Sequence, residues 1–563
     1  MTSTTQATTT TATTVSSSPC CCMFRMLQQL LQLLLVSILL MTTTTTTTTV
    51  AVVAHAKETA GGGNTVSRPI ITMEELNTYI NLATDYLVRV SHTAQQDPMF
   101  PGRFTYEQSL KEPLVLTNNY WNADNQQDDY NLLRHNGAIY SLGLSYHRTP
   151  RDDVLYAIQR GIGYLKTDAL LPVPDVDHPG QNLPNMIAAW EKESFDDPKS
   201  PPDVAKLGGA GLALIALVHL ERIRPGSTSI QTLRELGNFI SYMQHPDDGS
   251  FTCKYSYQHG KNDDWTSLYY PGEAALGLTL LAELDTEQQE KWLIVATKTF
   301  LYLESLRRNQ PLRDIEPDHW ALLATAKLLP LLEHYDSDME YWLVYNHGVR
   351  VATSLADAVT LPGLAKHGGC MTYDRRTCPT STRLEGLLAA LTFIRESEMY
   401  IGEDEHIAQP LRERIEEIIE YGVKFLLDAQ ELSSINNMQG GLPERYPIKD
   451  PEEESNVRVD YVQHSMSAII AYEQYVLEKK RGVKLVRQGV KNIKKLRDKV
   501  ADRIHRPRRS SRGDAVVAGP DAGINYVLLA ICCILILTTV VMVYKPIQRH
   551  RRKLLTTKRR RDD

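Results

Sequence analysis

Cysteine is scarce in this chain and poorly distributed for disulfide bonding. Of 8 cysteines in 563 residues, only Cys253, Cys370 and Cys378 lie between an apolar N-terminal region and an apolar C-terminal one. Three thiols cannot all pair, so at most one disulfide forms among them. Cys370 and Cys378 are the expected pair, and such a bond fits an oxidising compartment.

Short motifs that mark several enzyme classes are also missing. The chain has no phosphate-binding glycine loop of the right form, no serine nucleophile elbow and no complete aspartate-rich motif of the terpene synthases. It also lacks an Asn-x-Ser/Thr glycosylation site, which argues mildly against a lumenal position. Strand signals are sparse and short, so a helical fold is favoured.

Basic residues are under-represented in the middle of the chain. Residues 60–475 contain 35 Lys and Arg against 59 Asp and Glu, a net charge of −24, whereas the whole chain carries only −6. A body this acidic repels polyanions, so we predict no nucleic-acid partner. Contact with anions is expected only from the basic segments near the C-terminus.

Residues 1–56 have the features of a threonine-rich leader followed by a signal peptide. The mostly apolar stretch Leu27–Met41 is about 15 residues long, which is short for a membrane-spanning helix. Ala54-His55-Ala56 has the small-x-small form of a signal-peptidase site. We predict a cleaved leader, with an uncleaved signal anchor as the alternative. Residues 57–69 then form a linker.

The C-terminal region is predicted to cross a membrane once. Residues 524–544 provide 21 residues without charge, enough to cross a bilayer. The tail at 545–563 contains nine Lys or Arg, which the positive-inside rule places in the cytoplasm. The basic stalk at 479–523 is either a membrane-surface helix that contacts anionic lipid or a solvated spacer. With the signal peptide, these features predict a single-pass membrane protein whose large domain, residues 70–478, is lumenal or extracellular.

Apolar periodicity predicts twelve helices in the acidic body. Their ranges are about 72–95, 130–147, 151–168, 207–224, 228–245, 271–284, 287–307, 317–335, 338–357, 380–397, 408–430 and 459–478. Helices that are apolar on every face, such as GGAGLALIALVHL at 208–220, alternate with amphipathic ones, such as QTLRELGNFISYMQ at 231–244. A helix of the first kind is buried on all sides, and one of the second kind faces water.

This alternation predicts an all-α ring of six helical hairpins, an (α/α)6 toroid, over residues 70–478. Six buried helices surround the axis, six amphipathic helices surround them, and the first helix packs beside the last to close the ring. Small residues such as Ala274, Ala275 and Gly277 let the inner helices approach one another closely.

A short motif after an outer helix agrees with this architecture. Residues 244–251 read QHPDDGSF, and a similar motif occurs at Gln430 and in QGGLP at 439–443. In these features the chain resembles the (α/α) toroid superfamily, which includes six-hairpin glycosidases, sugar epimerases, polysaccharide lyases, and prenyltransferase and terpene-cyclase barrels. The resemblance covers roughly residues 70–478 and implies an architecture, whereas the chemistry has to be argued from the site.

The resemblance also implies that the active site lies at the end of the ring where the inner helices begin. The six helix starts are residues 128–135, 206–211, 263–273, 316–320, 381–386 and 458–464. Five contain an acidic residue near an aromatic residue, an arginine or a histidine; the glycine-rich 206–211 is the exception. A single acidic residue at a helix start is often a cap for free N–H groups. Five starts of the same mixed composition indicate a binding site.

Acidic, aromatic and basic side chains together are typical of a carbohydrate site. Glycoside hydrolysis needs one protonated carboxylic acid and one carboxylate. Glu273, which follows Tyr269 and Tyr270, is the candidate acid because an apolar, aromatic environment raises a carboxyl pKa. Asp318 or Glu385 is the candidate partner.

Other side chains at the helix starts have candidate roles in proton transfer or binding. His319, which we include among the catalytic candidates, together with His135 and Tyr461, would carry protons in a lyase or epimerase reaction. Arg134 and Arg383 would hold the carboxylate of a uronate. The candidate substrate-binding residues are Asp129, Tyr130, Arg134, His135, Tyr269, Tyr270, Trp320, Arg383, Asp460 and Tyr461.

No metal site and no cofactor is predicted. His367 and Cys370 with Cys378 only weakly resemble a zinc site, because no further ligand falls at a suitable spacing. The predicted function is a membrane-tethered carbohydrate-active enzyme, of glycoside hydrolase, lyase or epimerase type, that acts on a glycan in the lumen or at the cell surface. The alternative is a non-catalytic toroid that binds a glycan or peptide and carries a cytoplasmic sorting tail.

Overall fold

The computed structural model describes residues 68–98, 100–110, 130–191, 202–333, 338–401, 408–433, 437–449 and 456–480. These residues belong to one unit of the chain, Thr65–Arg481. Within the described ranges, no helix has the length and apolar character needed to cross a bilayer. The predicted leader, membrane span and tail lie outside the described residues, as does nearly all of the stalk, so they stay predictions.

Helices account for most of the described residues. In chain order they are α1 (Met73–Arg89), α2 (Leu132–Arg148), α3 (Asp152–Tyr164), α4 (Leu207–Ile223), α5 (Ile230–Tyr242), α6 (Tyr270–Leu284), α7 (Gln289–Arg307), α8 (His319–Leu332), α9 (Asp338–Asp357), α10 (Leu361–Lys366), α11 (Thr377–Ile401), α12 (Gln409–Ala429) and α13 (459–480). All twelve predicted helices are present, and the short α10 is additional. The first ends at Arg89 rather than near residue 95, because backbone hydrogen bonds between His92 and the 102–103 segment turn the chain back.

The helices form the predicted ring. The inner helices α2, α4, α6, α8 and α11 pack against one another in succession. α13 closes the ring, since Gln463 lies against Gly137 of α2 and His464 is hydrogen-bonded to Glu385 of α11. The outer helices α3, α5, α7, α9 and α12 each pack on the inner helix of their own hairpin. The outer helix α1 contacts α13, where Thr84 Oγ1 lies 3.3 Å from Met466 Sδ. The (α/α)6 toroid is therefore confirmed by the helix contacts of this chain.

Glycines at the contacts between inner helices explain how the helices crowd around the axis. A Cβ atom at five of these glycines would lie 2.2–2.9 Å from the neighbouring helix, and one at Gly143 would lie 3.2 Å from it. The contacts are Gly137 with α13, Gly143 with α4, Gly211 with α6, Gly277 with α4, Gly272 with α8 and Gly386 with α8. The inner helices thus lie so close together that only small residues fit between them, as predicted.

The expectation of an all-α fold is wrong in one respect, because the described chain contains two antiparallel sheets. The larger joins β2 (Leu170–Pro174), β3 (Asn182–Glu191), β4 (Val204–Lys206), β5 (Lys254–Ser256) and β6 (Gly260–Asn262) in that order. The smaller pairs β1 (Glu107–Ser109) with β7 (Asn456–Arg458). Five of these seven strands have only three residues, too few for an alternating pattern to be visible in sequence. β4 runs directly into α4 and β7 into α13, so both sheets help to position the starts of inner helices.

The expected disulfide between Cys370 and Cys378 is absent, which corrects that prediction. Both cysteines are free, as is Cys253. The Cys370 thiol is buried and lies 3.6 Å from the Thr380 hydroxyl, while Cys378 lines the pocket described below. The described body of the protein is held together by helix packing without covalent cross-links.

Candidate active site at the inner-helix starts

A pocket of about 250 Å³ opens at the end of the ring where the inner helices begin. It is lined by Asn131, Leu133, Arg134, Lys206, Tyr269, Tyr270, Glu273, His319, Trp320, Cys378, Pro379, Thr382, Arg383 and His464. These residues come from the starts of all six inner helices, so the pocket exists only when the ring is closed. Its volume lies just below the range of about 300–1,000 Å³ that is typical of ligand pockets.

Glu273 is the one acidic residue among those lining side chains. It lies in the first turn of α6 and is only 3% exposed, and its Oε2 atom is buried without a hydrogen-bond partner in the described structure. Burial raises the pKa of Glu273 to about 8, with the Arg134 guanidinium opposing the rise and Asp318 adding to it. Glu273 is therefore protonated at neutral pH, as its aromatic neighbours predicted. Tyr269 is the N-cap residue of α6, and no side-chain hydrogen bond caps this helix start, so Glu273 is not its cap.

The glycine-rich start of α4 provides the space that Glu273 occupies. A Cβ atom at Gly208 would overlap both the Glu273 carboxyl group and the ring of Tyr270, and one at Gly211 would lie 2.7 Å from the Glu273 backbone. Residues 206–211 were the exception among the six helix starts because they carry no acidic residue. Their part in the site is to let the acid of the neighbouring helix lie close by.

We expect Gly211→Ala to destabilise the protein by about 1–3 kcal/mol, the usual range for an overpacked core. The new methyl group would meet backbone atoms of Glu273 and Ala274, which cannot rotate away, so α4 and α6 must separate. Gly209→Ala is the matched control. Its methyl group would approach only Leu133 Cδ1 at 3.6 Å and Lys206 Cβ at 3.9 Å, which is ordinary contact.

Urea unfolding of both glycine variants measures this difference. Gly209→Ala should be as stable as the wild type or more stable, since alanine is the better helix former by about 0.8–1.0 kcal/mol. Equal free energies of unfolding for the two variants would contradict the close approach of α4 and α6.

Three basic side chains line the pocket with Glu273. Arg134 Nε lies 3.3 Å from Asp460 Oδ2, and Lys206 is paired with Glu191. Arg383 has no carboxylate partner in the described chain, and its Nε atom is buried without a hydrogen bond. The positive charge of Arg383 is therefore the one most available to an anionic ligand.

A second polar group comes from α8, α11 and α13, which bring together His319, Glu385 and His464. Each is at most 3% exposed. His464 Nδ1 lies 2.7 Å from Glu385 Oε2, and the same oxygen lies 3.8 Å from His319 Nε2. Burial, together with the charges of His464, Arg134 and Arg383, holds the pKa of His319 well below its ordinary value, so its ring is neutral.

Half of the predicted site residues line the pocket. They are Arg134, Tyr269, Tyr270, Glu273, His319, Trp320 and Arg383. Glu385 lies behind the lining, where it contacts the pocket through His464. Tyr269 packs edge-on against His319 with ring centroids 5.2 Å apart, and Trp320 is tilted against the same ring at 5.1 Å. The structure thus brings both aromatic and ionisable candidates to one place.

Asp318 has a structural position instead of the expected catalytic one. It is fully buried and is the N-cap of α8, where Oδ1 accepts the Ala321 N–H at 3.0 Å. Its Oδ2 accepts a hydrogen bond from Arg307 at 2.9 Å. Because both oxygens are occupied and Asp318 is not part of the pocket lining, we correct its assignment from catalytic partner to helix cap.

His135 and Tyr130 belong to an aromatic cluster behind the pocket, which corrects their assignment to substrate binding. His135 is 1% exposed, with Nε2 3.0 Å from the Gly161 carbonyl oxygen, and burial lowers its pKa to about 3. Arg103 stacks on the Tyr130 ring at 4.1 Å from its centroid. Neither residue lines the pocket.

Asp460 and Tyr461 also lie outside the pocket lining, next to Arg458. Asp460 accepts hydrogen bonds from Arg458 at 3.0 and 3.1 Å as well as facing Arg134, so it orients a lining residue without reaching the pocket itself. The Arg458 guanidinium lies 4.8 Å from the Tyr461 ring centroid. Asp129, the remaining candidate, is outside the described residues.

The sequence reasoning missed His464, Lys206 and Cys378 as lining residues. His464 ends the sixth helix start, 458–464, so its place was visible but its inward direction was not. Lys206 directly precedes α4, the start that contains no acidic residue. Burial raises the pKa of the Cys378 thiol, so it lines the pocket as an uncharged group.

Comparisons of this chain with known proteins find similar solved structures at low sequence identity. No family model matches the chain, and no curated protein sequence matches it. A solved sugar epimerase from a ruminal bacterium is similar over 72% of this chain and 99% of its own, with 10% identity and a TM-score of 0.48. An unsaturated glucuronyl hydrolase specific for heparin is similar over 72% of this chain and 98% of its own, with 11% identity and a TM-score of 0.44. At these values the similarity carries no conclusion about chemistry, and the toroid is established by the helix contacts above.

Proposed function

We propose that this protein is a carbohydrate-active enzyme of the glycoside hydrolase type, in which Glu273 donates a proton to the leaving sugar oxygen. The observation that supports this is the position of Glu273, buried in the pocket lining beside Tyr270, with Oε2 free of hydrogen bonds in the described structure. A carboxyl group that stays protonated at neutral pH is what general acid catalysis of glycoside cleavage requires. Lyase and epimerase reactions are the alternatives within the same substrate class.

The basic residues of the pocket support a sugar that carries a carboxylate. The guanidinium groups of Arg134 and Arg383 match a carboxylate in geometry, and the Lys206 ammonium adds a third positive charge. Tyr269 and Trp320 supply aromatic surface for the apolar face of a sugar ring. We therefore propose a uronic acid residue as the unit that occupies the pocket.

Cleavage also needs a group that activates water on the other side of the bond. His464, oriented by Glu385 at 2.7 Å, and the neutral His319 are the lining residues that would serve this step. Of the two predicted partners of Glu273, we propose Glu385, because Asp318 is hydrogen-bonded to the start of α8 and to Arg307.

We expect the full-length protein to bind D-glucuronate more tightly than D-glucose, because Arg383 offers a charge that no described carboxylate neutralises. Arg383→Gln should weaken glucuronate binding by about 10- to 100-fold, since a hydrogen bond to a charged group contributes about 1.5–3 kcal/mol. Isothermal titration calorimetry with both sugars measures the effect.

Arg395→Gln is the control for that titration. Arg395 lies on the same helix, α11, and forms an ion pair with Glu478 at 3.0 Å away from the pocket. It should leave glucuronate binding unchanged. Equal affinity for the two sugars, or equal effects of the two arginine variants, would contradict a uronate pocket. Glucuronate binding without turnover of any uronide would instead support the alternative function, a non-catalytic binding protein.

We also propose that this enzyme is tethered to a membrane, with the ring in the lumen or outside the cell. The supporting observations are in the sequence alone: the signal-peptide pattern before residue 57, the uncharged 524–544 and the basic 545–563. Anionic lipid is a proposed partner of the basic stalk. Protease added to sealed vesicles should remove only the tail, and digestion of the ring would contradict this orientation.

A further inference from the structure

A buried cluster is formed by His319, Glu385 and His464. Some of its polar atoms have no hydrogen-bond partner in the described structure. One ligand-type atom from each lies within 4.8 Å of the other two. Both ring nitrogens of His319 and the Oε1 atom of Glu385 are buried without a hydrogen-bond partner in the described chain. Buried polar atoms are normally paired, so three unpaired atoms in one cluster indicate that something else binds there.

We propose that His319, Glu385 and His464 are the protein ligands of a divalent metal ion, with Zn²⁺ the best match. Two imidazoles and one carboxylate are a ligand set typical of catalytic zinc, in which a water or substrate oxygen takes the fourth position. The three residues come from three different inner helices, α8, α11 and α13, so the fold holds them on a rigid frame.

The two distances from Glu385 require only small side-chain movements to accommodate the ion, and the two histidine nitrogens lie within 4.8 Å of each other. Zinc bonds of about 2.0–2.2 Å in a tetrahedral site place ligand atoms roughly 3.3–3.5 Å apart. The Glu385 Oε2 atom is 2.7 Å from His464 Nδ1 and 3.8 Å from His319 Nε2, so one separation lengthens and the other shortens by less than 1 Å. Binding would replace the Glu385–His464 hydrogen bond with two metal–ligand bonds.

The fourth coordination position would face the pocket. His319 and His464 both line it, while Glu385 lies behind them. An ion there would polarise a water molecule or a sugar oxygen held in the pocket, and this would replace the direct activation of water by His464 and His319 proposed above. As a catalytic centre the site rests on the function proposed above, whereas binding of the ion does not, so the two proposals can fail separately.

The neighbouring arginines decide how tightly the ion is held. Arg134 and Arg383 line the same pocket as His319 and His464, and their positive charges oppose a dication that only one carboxylate neutralises. An anion that pairs with these arginines removes part of that repulsion. We therefore expect Zn²⁺ and D-glucuronate each to strengthen binding of the other, since such coupling is reciprocal.

Metal content and thermal stability of the full-length protein test the proposal. After treatment with a chelator and dialysis, the wild type should bind about one Zn²⁺ per chain by elemental analysis, and its Tm should rise with Zn²⁺ concentration. His319→Gln, Glu385→Gln and His464→Gln should each weaken Zn²⁺ binding by about tenfold or more. Visible absorption of the Co²⁺-loaded protein gives a readout that does not depend on stability or on turnover.

His219→Gln is the matched control, since it removes a buried histidine from α4, an inner helix that contributes no residue to the cluster. The His219 ring packs against Tyr140 at 5.4 Å and is not part of the three-residue cluster. This variant should bind Zn²⁺ as the wild type does. Absence of saturable Zn²⁺ binding, or equal binding by all four variants, would overturn the metal site. Glucuronate binding without Zn²⁺ binding would contradict the metal site and support the proposed uronate pocket. Zn²⁺ binding without glucuronate binding would support the metal site and contradict the proposed substrate.

Discussion

Glu273→Gln is expected to lower kcat on a uronide with a poor leaving group by about 10²- to 10⁴-fold, the usual contribution of a positioned general acid. The amide keeps the size of the side chain, so the pocket lining stays intact. Because the proton is needed only as the bond breaks, KM should change little. The measurement is steady-state kinetics of the full-length variant on a methyl or sugar β-D-glucuronide.

A substrate with a good leaving group separates proton donation from other roles of Glu273. A dinitrophenolate leaves without being protonated, so Glu273→Gln should cleave a dinitrophenyl glucuronide at close to the wild-type rate. The control is Glu283→Gln, the same change in the last turn of α6, where Glu283 is paired with Arg222. It should leave both rates unchanged. A similar loss on both substrates would show that Glu273 positions the sugar and is not the acid.

The free energy of unfolding of the wild type is expected to fall, relative to Glu273→Gln, as the pH rises from about 4.5 to about 8. The pKa of Glu273 is about 8 in the folded chain, against an ordinary value of 4.5 for the unfolded chain. Between these values the folded chain holds one more proton than the unfolded chain, so raising the pH favours unfolding. At about 1.4 kcal/mol per pH unit, the loss reaches roughly 3 kcal/mol at pH 7.

The slope with pH is the informative quantity, because any fixed effect of the amide cancels. Urea unfolding of the wild type and Glu273→Gln at pH 4.5, 6, 7 and 8 gives the slope, with Glu283→Gln as the control that should follow the wild type. The charged groups that act on Glu273 are Arg134 and Asp318, and both are present in all three proteins. Parallel curves for the wild type and Glu273→Gln would mean that Glu273 is ionised at neutral pH.

The ring could be predicted from sequence because its cause is local and repeated. Helix α4 is apolar on every face and α5 has one polar face, and this contrast recurs along the chain, so the inner and outer layers are visible without coordinates. The five-stranded sheet has no such repeat. It forms because the strands that precede α4 pair with the strands that precede α6. Such pairing between distant segments is not visible in the sequence of a three-residue strand.

The site was harder to predict, as the contrast between Glu273 and Asp318 illustrates. Both are acidic residues at inner-helix starts. Asp318 is the N-cap residue of its helix, and its carboxylate accepts hydrogen bonds from a backbone N–H and from Arg307. Glu273 lies in the first turn of its helix, where its side chain lines the pocket. Position relative to the cap separates the two roles and could have been used, whereas the cluster of His464 with Glu385 depends on ring closure and could not.

Titration of the Glu273 carboxyl group tests the central claim most directly. Carbon-13 NMR of the full-length protein labelled at the glutamate carboxyl carbon, with Glu273→Gln used to assign the resonance, follows its protonation from pH 4 to pH 9. A midpoint near pH 8 is the predicted result, because burial beside the tyrosines disfavours the charged form. A midpoint near 4.5, the ordinary value, would mean that Glu273 is charged at neutral pH and cannot be the acid of this pocket.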